Sequence, residues 1–249
     1  MWKRLAFLSS FRLASSTSLG DLYKASYSLK FYQLFSTESR DLEDDCHASK
    51  IKLPWITFVL GGPGTGKGTQ CQRISQTFGF THLSAGDLLR KEMSSNSKDG
   101  KMISALIKEG NIVPSEMTVR LLQEAIKSSQ SCKFLIDGFP RCNENRVAFE
   151  KIIGVEPLFV LFLDCPEDIM VARVLGRNEG RLDDNLDTVK KRLEVFSNLN
   201  LPVINYYYEK GKVQRISALG TVDEVFEKIR PLFSSFSRFQ KKEEQKLSN

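Results

Sequence analysis

Apolar residues fall along this chain in two rhythms. Short, near-continuous apolar runs stand at residues 55–60, 81–83, 133–137, 158–164 and 212–216. Runs of that length, rich in Val, Ile, Leu and Phe and without strict alternation, suit strands buried on both faces. Between them apolar positions recur three and four apart. That spacing predicts helices over 66–78, 85–93, 101–109, 115–128, 145–153, 167–175, 187–210 and 222–233. Thr221 and Glu224 are spaced as a capping box at the head of the last helix. Strands separated by helices predict an α/β fold, a five-stranded parallel sheet with helices on both faces. Right-handed crossovers then gather the carboxyl ends of the strands along one edge, where such sheets bind ligands.

The first predicted strand runs straight into Gly61-Gly62-Pro63-Gly64-Thr65-Gly66-Lys67-Gly68-Thr69. Glycines let backbone N–H groups curl around phosphate oxygens, and the helix that follows adds the positive end of its dipole. Lys67 can place a charge near the β- and γ-phosphates. With a strand before it and a helix after it, this is a P-loop for a nucleoside triphosphate. It departs from the usual pattern at Gly68, where a Ser or Thr hydroxyl commonly meets magnesium; here Thr69 follows one position later.

Three further strings carry charge to the same edge. His82-Leu-Ser-Ala-Gly-Asp-Leu-Leu-Arg90 ends a strand and presents Arg90 on a helix. Phe134-Leu-Ile-Asp137-Gly138-Phe139-Pro140-Arg141 delivers Asp137 at a strand end, where it can hold magnesium-bound water, and exposes Arg141 after a turn. A short loop carries Arg177 and Arg181 with Asp183 and Asp184, and Arg192 lies in the helix behind. Taken singly, each arginine reads as a solvated surface charge. Together with Lys67 they supply more positive charge than one nucleotide needs. That set suits a phosphoryl group passing between two anionic nucleotides, where catalysis is positioning and charge neutralisation.

Composition narrows the picture without redirecting it. The 249 residues hold 36 basic and 30 acidic side chains, a formal charge of +6, but much of the excess sits at the N-terminus. Charge alone therefore predicts no nucleic-acid partner, and no apolar run predicts a membrane span. The five cysteines are scattered and form no Cys-x-x-Cys pair, so free thiols in a reducing compartment are expected rather than disulfides or a zinc knuckle. Residues 1–40 are serine-rich and basic, with Asp21 and Glu38 the sole acids. That composition reads as an organelle transit peptide, mitochondrial rather than plastid. Its alternative is an extension with no import role. Residues 1–50 are thus read as leader and linker, 51–235 as the folded domain, and 236–249 as a disordered tail.

The motif strings, in this order, resemble the nucleoside monophosphate kinases of the adenylate kinase-like family, most closely the plant-type UMP-CMP kinases. The resemblance covers residues 55–233 and rests on the glycine loop through Cys71, Leu83 to Arg90, Asp137 to Arg141, Phe162-Leu-Asp-Cys-Pro166 and Gly180-Arg-Leu-Asp-Asp-Asn185. It implies the P-loop NTPase fold with a helical monophosphate-binding region at about 84–113 and a short lid at about 176–185. It implies a magnesium-dependent transfer from ATP to UMP, CMP and dCMP by a monomer. Carried onto this chain, Gly62, Pro63, Gly64, Thr65, Gly66, Lys67, Gly68 and Thr69 would hold ATP phosphates. Arg177 would lie on the adenine side and Gly220 would approach the adenine through its backbone. Arg90, Arg141, Gly138, Phe139, Pro140 and Asn145 would hold the monophosphate, with Asn111, Ile112 and Val113 near its base and ribose. Lys67, Arg141, Arg181 and Arg192 would act on the transferring group, with no metal bound directly and Asp137 reaching it through water. Adenylate kinases usually carry Thr where Ala85 stands and Gln where Asn145 stands, so these two positions imply pyrimidines; the alternative is an adenylate kinase acting on AMP. Related enzymes also occur in cytoplasm and nucleus, the alternative to the mitochondrion.

Overall fold

The computed structural model describes residues 54–247 apart from 96, 178, 179 and 182, with side chains as far as residue 235. The predicted leader, 1–50, lies outside the described residues. Five strands form one sheet: β1 Trp55–Leu60, β2 Thr81–Ser84, β3 Lys133–Asp137, β4 Phe159–Asp164 and β5 Val213–Ser217. Their spatial order is β2-β3-β1-β4-β5. Every pairing is parallel, with Val59 opposite Asp137 and Leu60 opposite Phe162. The chain order reverses around β1, so the crevice at the carboxyl ends of β1, β3 and β4 is the expected ligand site.

Helices fill the crossovers: α1 Lys67–Phe78, α2 Ala85–Met93, α3 Lys98–Lys108, α4 Ser115–Ser128, α5 Asn143–Ile153, α6 Glu167–Leu175, α7 Leu186–Val195, α8 Leu201–Glu209 and α9 Val222–Leu247. On one face Ile56, Phe58 and Leu60 pack with Val119, Leu122, Phe149, Val203, Ile204 and Tyr207 from α4, α5 and α8. Phe58 meets the rings of Phe139, Phe149 and Tyr207 edge-on. Elsewhere Phe233 of α9 meets Phe78, Phe80 and Phe159. Each fully buried Phe contributes about 1.5–3 kcal/mol relative to exposure. The helical pair α2 and α3 has its own small core of Leu89, Ile103 and Val113. Among the described residues no helix is long and apolar enough to cross a membrane.

Three element boundaries differ from expectation for physical reasons. Helix α3 starts three residues early, because Ser97 caps it by accepting from the Gly100 N–H at 2.8 Å. The single helix expected over 187–210 is interrupted by a π-turn at Phe196–Asn200, closed by a bond from the Leu201 N–H to the Phe196 carbonyl. Pro202 has no N–H and its ring crowds the carbonyl four residues back, so the backbone widens just before it. The last helix does not stop at 233 but runs to Leu247 despite Pro231. Residues 236–247 of the tail read as disordered are therefore helical in their backbone. Their Gln, Lys and Glu residues are good helix formers.

Candidate active site

The phosphate loop is built by close approach. It leaves β1 and folds against α6. A Cβ on Gly62 would fall 2.3 Å from Met170 Sδ, and one on Gly64 would fall 2.4 Å from the Met170 carbonyl oxygen. Gly64 and Gly66 have φ of 79° and 85°, the left-handed region that glycine enters freely. Gly66 caps α1 with no side-chain bond, and the first turn holds no acid. The N–H groups that open α1 thus face the cavity with a helix dipole behind them. Lys67 Nζ is drawn back over the loop, donating to the carbonyls of Gly61 at 2.9 Å and Gly62 at 2.8 Å. Thr65 Oγ1 donates to the Gly62 carbonyl at 3.0 Å.

The loop opens onto a cavity of about 900 Å³ at the carboxyl edge of the sheet. Pro63, Gly64, Thr65, Gly66, Lys67, Gly68 and Thr69 line one side of it. Arg90, Asn111, Asp137, Gly138 and Arg141 also line it, as do Arg177, Arg181, Arg192 and Gly220. All five arginines expected from the sequence therefore meet around one space.

Four of the five are held by named groups. Arg90 pairs with Asp87 one turn earlier on α2. Burial works against the Asp87 carboxylate, yet its bonds from Arg90 and Ser84, with Arg90 and Arg181 close by, hold its pKa below the usual value. Arg141 Nε donates to the Gly138 carbonyl at 2.9 Å. Arg192 pairs with Asp183 at 2.8 Å and Asp184 at 3.4 Å, and Arg177 stands 3.5 Å from Asp184. The two lid acids thus orient arginines of both the lid and α7.

Burial first, and the crowding of cations second, lowers the hold of these groups on their protons. Burial pushes the Lys67 ammonium down to about 8; Asp137 opposes this, while Arg192 and Arg141 add to it. Burial, helped by Arg192, pushes Arg141 down to about 10. Burial also lowers Arg192, although Asp183 and Asp184 oppose it. Charged groups held this way favour an anionic ligand, which would restore their ordinary affinity for protons.

Some expected contact residues stand back from the cavity. The ring of Phe139 is buried in the aromatic core against Phe58 and Phe149, and Pro140 is buried beside it. The side chain of Val113 packs in the core of the α2–α3 pair. Ile112 lines a separate space of about 70 Å³ beside Lys67 and Arg192. Gly62 serves through its carbonyl, which receives Lys67 and Thr65. Asn145 is 2% exposed and acts from behind: its Oδ1 accepts the Arg141 N–H at 3.0 Å and its Nδ2 donates to Ser115 Oγ at 2.8 Å. The core thus claims the side chains of Phe139, Pro140 and Val113, while Asn145 is engaged by Arg141 and Ser115.

Sequence reading passed over Arg173. It lines the cavity from α6 and donates to the carbonyls of Ala218 at 3.1 Å and Gly220 at 3.4 Å. It thereby holds the β5–α9 loop where Gly220 was expected to meet a base. Its spacing of four from Arg177 was the available signal. His82 and Gln70 also line the cavity.

Comparison with known proteins agrees with this geometry. The family model for adenylate kinase matches residues 59–212. The chain is 55% identical to probable UMP-CMP kinase 2 of Arabidopsis thaliana, over 96% of this chain and 92% of that one. It is 54% identical to the UMP-CMP kinase of Prunus armeniaca, over 96% of this chain and all of the relative. It is 48% identical to the uridylate kinase of Saccharomyces cerevisiae, over 70% of this chain and 88% of that one. A glycine loop on a parallel sheet, an arginine-lined two-sided cavity and a match across most of the folded residues lead to one conclusion: the chain belongs to the adenylate kinase family.

Proposed function

We propose that this protein transfers the γ-phosphate of ATP to UMP and CMP, and also to dCMP, by direct in-line displacement. The observation that carries the reading is the single cavity in which a phosphate loop and arginines from α2, the β3–α5 turn, the lid and α7 face one another. The names of the relatives favour pyrimidine acceptors.

The loop N–H groups and Lys67 bind the phosphates of ATP, and Gly220 and Arg173 bound the space on the α9 side. Arg90 and Arg141 grip the acceptor phosphate bidentately, as guanidinium forks do. Arg181 and Arg192 neutralise charge on the group in transit. No general base is required, since the acceptor is already an anionic phosphate. Closure of the lid over both nucleotides excludes water, which would otherwise compete as acceptor.

Magnesium fits the residues present. Asp137 Oδ1 is buried with no hydrogen-bond partner, and the Thr69 hydroxyl lines the same cavity. These are hard oxygen donors of the kind that ion takes, largely through water. When bound, it supplies further neutralisation of the phosphate oxygens.

Action as a monomer is part of the same reading. The leader reading stands on composition alone: residues 1–50 fused to a fluorescent protein should enter mitochondria, and diffuse cytosolic signal would refute it. The two-nucleotide reading is tested with adenosine and uridine joined 5′ to 5′ through a polyphosphate chain. Such a compound should bind far more tightly than ATP or UMP alone. Equal affinity for the linked compound and for ATP would refute two adjacent nucleotide sites.

A further inference from the structure

Beneath the phosphate loop three ligand-type side chains converge from three elements: Cys71 of α1, His82 of β2 and Asp137 at the end of β3. One donor atom of each lies within 4.8 Å of the others. His82 Nε2 stands 3.6 Å from Asp137 Oδ2. His82 Nε2 and Asp137 Oδ1 are both buried without a hydrogen-bond partner. Leaving a buried polar atom unsatisfied is costly, so two at one spot mark a place that a ligand would relieve. Protein donors around a tetrahedral zinc ion sit about 2.0–2.3 Å from the metal, hence about 3.3–3.6 Å from one another. The His82–Asp137 separation of 3.6 Å already matches that spacing.

The donor chemistry selects the ion. Sulfur with imidazole favours soft and borderline cations, whereas magnesium keeps to oxygen. His82 and Asp137 line the nucleotide cavity and Cys71 lies behind them, fully buried. We propose that Cys71, His82 and Asp137 form a three-ligand site for a zinc-class divalent cation, its fourth position open to the nucleotide cavity. On binding, the Cys71 sulfur exchanges its proton, released to solvent, for a bond to the metal. Asp137 is then committed to that metal and withdrawn from Lys67 and the phosphates. Occupancy therefore opposes ATP-magnesium, a consequence that rests on the function proposed above; the site itself does not.

The test has two arms. In the first, the full chain, reduced and free of nucleotide, is titrated with Co²⁺. One equivalent should produce a thiolate-to-cobalt charge-transfer absorption that Zn²⁺ then erases. Cys71→Ser and Cys71→Ala should abolish the band, and His82→Gln should weaken Zn²⁺ binding at least ~10-fold. Cys142→Ser removes a buried thiol outside the cluster and should leave the band intact. Melting temperatures without metal establish that each variant is folded. No band with the unaltered chain, or a band that survives in folded Cys71→Ala, would overturn the site. In the second arm Zn²⁺ should raise the apparent Kd for ATP-magnesium several-fold in the unaltered chain and not in Cys71→Ala, ATP chelating zinc equally in both. Equal shifts in the two would overturn the antagonism while leaving the first arm to judge the site.

Discussion

The backbone N–H of Arg141 donates to the side-chain carbonyl of Asn145 at 3.0 Å, and the other end of that amide reaches Ser115. Asn145 therefore ties the turn that presents Arg141 to the start of α4. Asn145→Ala would leave a part-buried N–H unpaired, at a cost of about 1 kcal/mol. The expected result is a lower melting temperature together with a KM for the monophosphate that rises more than the KM for ATP. A raised KM for ATP alone would contradict this role.

Lys67 sits half-buried with its ammonium desolvated and cations nearby, so its charge costs stability while serving catalysis. Lys67→Met keeps the length of the side chain and removes the charge. Turnover should fall by at least ~10²–10³-fold, with a melting temperature no lower than that of the unaltered chain. Retention of phosphoryl transfer would show that the loop has been misread.

The same lysine predicts a pH signature. Its pKa is lowered from 10.5 to about 8 in the folded, ligand-free chain. Between those values the unfolded chain holds a proton that the folded chain has lost. The penalty is thus full below about 8 and fades as pH rises towards 10.5. Nucleotide phosphates favour the charged form, so ATP binding near pH 8.5 should take up protons. Calorimetry in buffers of differing ionisation enthalpy reads that uptake directly; proton release would have the wrong sign.

Two loop glycines separate reparable from irreparable crowding. Gly62→Ala meets Met170 Sδ, the flexible end of a side chain, whereas Gly64→Ala meets the Met170 backbone at a positive φ. Both should weaken ATP binding. Adding Met170→Ala should restore much of it in the Gly62 variant and little in the Gly64 variant, where strain of about 1–3 kcal/mol remains. Equal rescue of both, followed by ATP titration, would contradict the packing described.

Much of this was legible in the chain. The five strands stand within a residue or so of their apolar runs, because strands buried on both faces leave near-continuous signals. The loop and the arginines were legible because phosphate chemistry needs those residue types at strand ends. What escaped was either masked by continuing apolar spacing or depends on contacts distant in sequence. The π-turn at Phe196–Asn200 escaped because apolar spacing continues through it, with Phe196, Val203, Ile204 and Tyr207 all buried. The tie from Asn145 to Ser115 escaped because the two stand thirty residues apart. Arg173 shows its purpose only once α6 is packed beside the β5–α9 loop.

The central claim is that the arginine-lined cavity passes phosphate from ATP to a pyrimidine monophosphate. It is tested most directly by measuring kcat/KM of the purified protein with ATP and saturable ranges of UMP, CMP, dCMP and AMP. The account predicts efficient turnover of CMP and UMP and poor turnover of AMP. AMP turned over faster than either pyrimidine would contradict it and would make the chain an adenylate kinase in activity as well as in family.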